Sequence, residues 1–571
     1  MFKKLNNYLS RARLDYFLLA GLWLLHAARG IVFAFIDNFP KGGDMWRYLS
    51  MTEGYIHILQ KPSWDILRRI FAENPHFPPL FPFLSIPVYL LSGRTEETAY
   101  LANLIFLGVL ILSTYGIGKR LHARGAGLLA SLVISTYSSI LVYTGEYMMP
   151  IALTSIVTLS IYTLLLTDDF ASTKFSVLFG LSLGLGLLTK WTFVAFLLGP
   201  GLLVVFMGLV VNKDRKIKRS VNISLSALTA FIIASPYYFY SFWHIVDFFN
   251  FNKYQDEAIP TRDLLSLKSL GNHFMNLPEL VGRVFFILFI IGLVITLIKF
   301  RKKNSISFSW FGVSYIIFSF LLTKLPRYIV PSLGAVALIS ISWIFYLRNR
   351  IIKVFFILFI SILCLLNFID ESWMTAVIPE PLRRLGLVSS GQHVFKSWRP
   401  WKTREIFDYI VKNRDSKEEA TWVLVLYTDP PFVSDVFNYY SIREDCGVRI
   451  FNDYWYFEPD CERHAVYDYE KVLKASFVIL HESILDVPDT HHMKKIWKYT
   501  IGTAEMFSRP EVFSKLNFML SREFEIPDGL VRIYKRVSDP DQEEKAAVIN
   551  KAIEMDPLGR EEYLDFLQAA R

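Results

Sequence analysis

The chain has 571 residues, 53% of them hydrophobic and 16% aromatic, with a mean hydropathy of +0.33; it is too apolar for a water-soluble enzyme and too long for one simple bundle. The net charge of +9 invites nucleic acid as a partner, but the basic residues cluster in short loops between apolar runs, as the positive-inside bias expects, so nucleic acid is discounted. Three cysteines, Cys364, Cys446 and Cys461, are too few for a disulfide scaffold and lack the paired spacing of a zinc site; a Cys446 to Cys461 pairing is compatible with an oxidising compartment.

Lys3, Lys4, Arg11 and Arg13 precede an apolar run at 16–36. That run exceeds a signal-peptide core and lacks a small-residue cleavage site, so it reads as a retained anchor with a cytoplasmic N-terminus. The segment 37–97 is then external, and it opens on Gly42-Gly43-Asp44-Met45-Trp46-Arg47-Tyr48. An acid, a base and aromatic rings just past a membrane helix are placed to meet a lipid head group. Asp44 reads as a catalytic carboxylate, and a solvated loop acid is the bland alternative.

Further on, 78–91 is apolar but too short to span, and it is broken by Pro78, Pro79, Pro82 and Pro87, so it is predicted to lie along the outer interface or as a shallow re-entrant piece. Leaving it out puts the basic loops 119–124, 213–219, 299–303 and 348–353 all inside, in keeping with the charge bias. The predicted spans are 16–36, 98–118, 125–144, 148–167, 175–189, 191–211, 221–243, 283–298, 306–323, 328–347 and 352–369. About eleven helices, an odd number, leave the C-terminus outside. The hairpin divided at Lys190 carries that topology, since its loss would invert every later loop. The external loop 244–280 is long for a connection and mixes aromatics with charge, which suggests a substrate-facing flap.

From about 370 the composition becomes that of a soluble α/β domain, with a helical run at 402–414, β-type runs at 422–427 and 476–480, and a polar, helix-forming stretch at 539–571. The chain thus divides into a membrane domain, 1–370, and an extracytoplasmic α/β domain, 371–571.

Ionisable residues at the wrong depth or side of a membrane are costly and point to function. Arg29 sits two turns from the outer end of the first helix, placed to snorkel or to hold an anionic head group. Glu146 stands alone between two apolar spans: it reads either as a simply solvated acid or as one of two acids on separate outer loops that converge as a base and its partner or as metal ligands. Lys190, Lys324 and Arg327 lie at outer turns against the charge bias and suggest a phosphate cradle. His76 reads as an interface histidine, or as a phosphate donor or metal ligand. Asp44, Glu146 and His76 are accordingly the candidates for a divalent ion. Gly180-Leu181-Ser182-Leu183-Gly184 spells Gly-x-Ser-x-Gly only inside the predicted span 175–189, not on a nucleophile elbow, and no Walker-type loop occurs, so the energy must come from the substrate or an ion gradient.

In order, Asp44-x-x-Arg47-Tyr48, Pro78-Pro79-Leu80, Glu146, Gly186-Leu187-Leu188-Thr189-Lys190 and Lys324-Leu325-Pro326-Arg327-Tyr328-Ile329-Val330-Pro331 resemble the GT-C glycosyltransferases that use polyprenyl-phosphate sugars, in particular the protein O-mannosyltransferase and aminoarabinose transferase branch. The resemblance is scattered over 40–350. It implies that Asp44 activates the acceptor and that Arg47, Lys190, Lys324 and Arg327 handle the lipid-linked phosphate, with Tyr48 and Tyr328 in the same motifs. The chain departs from the pattern at Met45, where a second acid is common, at Glu146, where Asp is usual, and at Phe77, where a basic residue often precedes Pro-Pro-Leu. Metal dependence and the acceptor, whether glycan, lipid or protein, therefore stay open. The expected activity is inverting transfer of a sugar from a polyprenyl phosphate at the extracytoplasmic face. The alternatives are a lipid-linked glycan flippase and an inactive binding protein of the same fold.

Overall fold

The computed structural model describes residues 2–37, 43–212, 214–258, 266–321, 324–372, 377–384, 401–415, 420–426, 434–451, 471–482, 516–527, 529–541 and 543–544. It divides into two compact units, one of Met1–Asp37 and Ile58–Lys396, the other of Asn38–His57 and Ser397–Arg571. The sequence reading divides the chain at 370; the units divide at 396, and the second takes in a piece of the segment 37–97 that the sequence reading puts outside.

The first unit is helical. The anchor α1 (Phe2–Ile36) is followed by α2 (Gly43–Gln60), most of which belongs to the second unit, and then by the short α3 (Ile66–Glu73). The apolar α4 (Leu80–Leu91) has only 12 residues. Pro82 lies in its first turn, where the missing N–H costs nothing, while Pro87 removes a bond from the ladder, and the helix stays too short to cross a bilayer.

α5 (Glu96–Ala99), a 3-10 turn at Tyr100–Ala102 and α6 (Asn103–Leu121) form one apolar pass. α7 (Arg124–Ser135) and α8 (Ser138–Thr144) are bent by 64°. The Asn367 amide donates to the Thr136 carbonyl at that break (2.6 Å), supplying a partner the helix has lost. Then come α9 (Met149–Leu166), α10 (Thr173–Thr189), α11 (Phe193–Phe206) with a π turn at Met207–Val211, α12 (Lys216–Ala258), α13 (Leu267–Val281), α14 (Arg283–Lys299) and α15 (Ser305–Ser319). The next pass begins as a 3-10 helix at Pro326–Ser332, continues as α16 (Leu333–Ser342) and ends in a 3-10 turn at Trp343–Tyr346; α17 (Arg350–Glu371) and α18 (Glu380–Arg384) close the unit.

This is an integral, multi-pass membrane protein. Among the described residues seven helices are long and apolar enough to cross, or up to eight with the bent α7 and α8 as one span, while α10 and α15 are shorter apolar helices. A helix occupies each of the eleven predicted stretches, but length and composition qualify fewer of them as spans. One element is longer than predicted: α12 runs 43 residues, to Ala258. Residues 244–258 hold neither glycine nor proline, so nothing ends the helix where its apolar character fades. The predicted loop 244–280 is therefore largely helical, and 259–265 lie outside the described residues.

The passes meet through small residues. A Cβ on Gly118 would stand 2.7 Å from the Gly127 Cα, so α6 and α7 touch backbone to backbone. One end of the unit gathers the basic loops. Arg124 pairs with buried Asp15 (2.6 Å), Arg120 with Asp168 (3.9 Å), and Lys303 stands over the Tyr346 ring, which hydrogen-bonds His122. There Asp168, Asp169 and Phe170 all take left-handed backbone (φ 54°, 51° and 64°). Arg219 donates to the first two carbonyls (3.1 and 2.5 Å) and Asn222 to the third (2.7 Å), holding a turn that L-residues resist.

The second unit is an α/β layer. α19 (Thr403–Asn413), β1 (Thr421–Leu426), α20 (Ser434–Glu444), β2 (Val448–Phe451), β3 (Phe477–His481), β4 (Phe518–Ile526) and β5 (Gly529–Arg536) build a five-stranded sheet in the order β2-β1-β3-β5-β4. β1 runs parallel to β2 and β3, and β5 is antiparallel to β3 and β4. The central β3 is buried at every position, whereas edge strand β4 is largely exposed. Against α20 lies α2: the Trp46 ring is 5.6 Å from that of Tyr439 and 6.3 Å from that of Tyr440, and His57 Nε2 donates to the Ile442 carbonyl (3.0 Å). Cys446 is a free thiol, while Cys461 and most of 539–571 lie outside the described residues.

Candidate active site

At the end of the first unit opposite the basic loops, three chain turns carry Glu146, Lys190, and Lys324 with Arg327 and Tyr328. Glu146 sits on the turn between α8 and α9. The turn is short because Gly145 closes back on the Val142 carbonyl (2.8 Å) and Met148 N on the Glu146 carbonyl (2.7 Å). Tyr147 fixes its far side, buried with its ring 4.9 Å from Phe81 of α4. Asn103, at the start of α6, donates to the carbonyls of Glu146 (2.6 Å) and Tyr143 (3.0 Å).

Lys190 breaks α10 from α11, with extended backbone (φ −160°, ψ 139°). Gly186 permits the bend, since the Phe193 ring occupies the space where a Cβ would stand. Lys190 Nζ then stands 5.5 Å over the Tyr328 ring. Tyr328 belongs to the 3-10 helix Pro326–Ser332, which starts at a proline and packs against α9 and α13. Its neighbour Arg327 is close enough for its charge to act on Tyr143, as the charge of Glu146 also does. Glu146, Tyr143, Arg327, Tyr328 and Lys190 thus form one continuous neighbourhood, although the chain separates them widely. Lys324 is buried and donates to the carbonyl of Ser269 on α13 (2.9 Å) and to its hydroxyl.

Arg29 and His76 hold backbone carbonyls. Arg29 donates to the carbonyls of Leu141 (3.1 Å) and Glu371 (3.1 Å) and lies over the Phe33 ring, tying α1 to α8 and α17. His76 turns Nδ1 to the His244 carbonyl (3.1 Å), which places the ring hydrogen on that nitrogen and joins the segment before α4 to α12.

Asp44, Arg47 and Tyr48 lie on α2 and so belong to the second unit. Asp44 and Arg47 form an i,i+3 pair at 4.0 Å, and Tyr48 is buried. Met45, where a second acid is common in the resemblance, is buried beside Trp46, so the helix uses that position for packing. Among the described residues no group of three or more His, Cys, Asp or Glu gathers to hold a metal ion. Of the predicted donor set, Asp44 belongs to the second unit and Glu146 and His76 to the first. Sequence reasoning missed Tyr143, Asn103 and Ser269. A tyrosine at a helix end, an asparagine opening an apolar helix and a loop serine carry no signal of their own.

With this geometry established, comparison with known proteins gives the fold a context. The family model described as dolichyl-phosphate-mannose-protein mannosyltransferase matches residues 76–240. ArnT from Cupriavidus metallidurans, solved bound to undecaprenyl phosphate, superposes with a TM-score of 0.56 at 15% identity, covering 91% of this chain and 99% of that one. The fold is that of the GT-C glycosyltransferases. The GT-C likeness extends to the oligosaccharyltransferase of Archaeoglobus fulgidus, solved with zinc and sulfate, with a TM-score of 0.53 at 16% identity over 92% of this chain and 74% of that one. A curated relative, an uncharacterized protein of Aquifex aeolicus (strain VF5), is 27% identical over 248 residues, 42% of this chain and 46% of the relative's length, so the match spans less than half of it.

Proposed function

We propose that the protein transfers a sugar from a polyprenyl-phosphate donor to an acceptor at the extracytoplasmic membrane face, with inversion at the anomeric carbon. The observation that carries this reading is the neighbourhood of Lys190, Arg327, Tyr328, Tyr143 and Glu146 at the end of the first unit opposite the basic loops. Two cations beside tyrosines suit a lipid-linked phosphate whose tail stays in the bilayer, and the positive-inside bias puts this end outside. The match of residues 76–240 to a mannosyltransferase family model and the fold shared with a protein solved with undecaprenyl phosphate support the donor class.

The roles follow from charge. Lys190, Lys324 and Arg327 stabilise negative charge on the departing phosphate. Asp44 takes the proton of the acceptor hydroxyl, with Arg47 paired beside it and Tyr48 buried on the same helix. Glu146 is the second carboxylate, acting on the first unit. The acceptor oxygen bonds to the sugar C1 as the bond from C1 to the phosphate oxygen breaks, the proton goes to Asp44, and the electron pair leaves with the lipid phosphate. No nucleotide is required, because cleavage of the sugar phosphate drives the transfer.

The test is sugar transfer in proteoliposomes containing the full chain and a panel of polyprenyl-phosphate sugars, with products identified by mass spectrometry. Asp44→Asn is expected to abolish transfer while the protein stays folded. Full activity of that variant removes Asp44 from the mechanism, and labelled donor crossing the bilayer with no new glycoconjugate replaces transferase by transporter.

A further inference from the structure

We infer that Asn103 is a positioning residue for Glu146, an inference that rests on the function proposed above. Asn103 is fully buried at the first position of α6. Its amide does not cap its own helix. Instead it crosses to a turn about forty positions later and donates to the carbonyls of Glu146 (2.6 Å) and Tyr143 (3.0 Å), with that of Thr144 at the limit of contact (3.5 Å).

These carbonyls close α8, where a helix leaves its last acceptors without partners. Asn103 thus caps α8 from another helix, and in doing so fixes the backbone from which the Glu146 side chain departs. The Glu146 carbonyl takes a second donor from Met148 N (2.7 Å), so the acid stands on a peptide held from two directions.

The anchor is itself rigid. Tyr100, one turn before Asn103, donates from its hydroxyl to the Gly30 carbonyl of α1 (2.8 Å). Ser155 of α9 donates to the Phe106 carbonyl (2.6 Å), and Phe81 packs its ring on both Phe106 and Tyr147. A movement of the α6 start therefore carries the Glu146 turn with it. The amide orientation follows from its surroundings, since three carbonyls face the nitrogen and only a donor suits them.

The arrangement has a cost. Asn103 Oδ1 is buried and finds no hydrogen-bond partner among the described residues. A buried, unsatisfied acceptor disfavours asparagine here on stability alone. Keeping a charged loop in register is a reason to retain it.

The experiment measures transfer kinetics for Asn103→Ala and Asn103→Ser, each alone and combined with Glu146→Gln, in the full chain, with amide exchange of the 145–148 segment as a second readout. Asn103→Ala is expected to lower kcat about tenfold with the donor KM within about threefold, because a displaced group loses chemistry more than binding. Asn103→Ser, which keeps one donor in a smaller side chain, should fall between Asn103→Ala and the unsubstituted protein. In the Glu146→Gln background Asn103→Ala should cost less than about twofold, since the group it positions is already gone. Exchange at 145–148 should quicken in Asn103→Ala.

Equal losses in both backgrounds, or unchanged exchange, overturn the positioning role in favour of a purely structural one. Reduced turnover in Glu146→Gln with none in either Asn103 variant overturns this inference and leaves the function standing. Full turnover in Glu146→Gln overturns the role of Glu146 and this inference with it. If Asn103→Ala does not fold, Asn103→Ser carries the same comparison.

Discussion

Lys190 holds its ammonium 5.5 Å above the ring of Tyr328, joining the break after α10 to the 3-10 helix that opens at Pro326. The ring face neutralises part of the lysine's charge while leaving its N–H donors able to meet an oxygen. Lys190→Met is expected to raise the KM for a polyprenyl-phosphate donor about tenfold, as loss of one charge-assisted contact predicts. Tyr328→Leu, which removes only the ring, should raise it about threefold. Steady-state kinetics over donor concentration measure both, and a Lys190→Met enzyme with unaltered KM would take Lys190 out of the phosphate cradle.

Arg219 makes the opposite kind of prediction. It is buried far from the candidate site and holds the carbonyls of Asp168 and Asp169 in three consecutive left-handed residues. Arg219→Ala leaves those carbonyls unpartnered and should destabilise the protein by about 3 kcal/mol. Arg219→Lys should recover only part of this, because an ammonium cannot serve both carbonyls, which share Nη1, and also Asp214, which takes Nε and Nη2. Melting in detergent reads the loss, while the donor KM should stay within about twofold.

Trp46 seats the helix that carries Asp44. Buried between Tyr439 and Tyr440, it is replaced by alanine at an expected cost of about 3 to 5 kcal/mol to the second unit. Faster amide exchange along α2 and a fall in kcat of more than tenfold should accompany that loss, with polyprenyl-phosphate binding retained. Trp46→Phe, which keeps a ring in the pocket, should preserve most of the turnover.

His122 gives a pH dependence. Burial, with the nearby charge of Lys303 added, holds its imidazole down at about 4, against 6.5 ordinarily. Between these values the unfolded chain binds a proton that the folded chain refuses, so the folded state loses stability as pH falls from 6.5 towards 4 and keeps it in full above 6.5. His122→Gln should flatten that part of the melting-temperature profile. An unchanged slope in the variant would assign the pH dependence elsewhere.

Much of the first unit is legible in the sequence, because apolar runs of membrane length have one outcome in a bilayer. Lys190 falls at a true helix break, and the prolines of 78–91 keep α4 short. In the second unit the helix at Thr403–Asn413 and the strands at Thr421–Leu426 and Phe477–His481 coincide with predicted runs. The hairpin of β4 and β5 escaped notice, although Pro527-Asp528-Gly529 between two β-type runs is a turn signal. The candidate site was readable as residue types but not as partnerships. The bond from Asn103 to Glu146 and the hold of Ser269 on Lys324 join positions whose spacing follows no period, so only tertiary structure reveals them. The membership of α2 was hidden for the same reason. Trp46 in a segment predicted to be external looks like an interfacial ring until Tyr439 and Tyr440 are seen around it.

The seating of α2 on α20 bears on how the protein is made. The helix that carries Asp44 leaves the ribosome early, but the tyrosines that receive it are synthesised roughly four hundred residues later, a contact of very high sequence separation. Until then its apolar face, with Met45, Trp46 and Leu49, has no seat within its own unit. A chain that ends before α20 therefore leaves α2 without the aromatic seat that Tyr439 and Tyr440 provide.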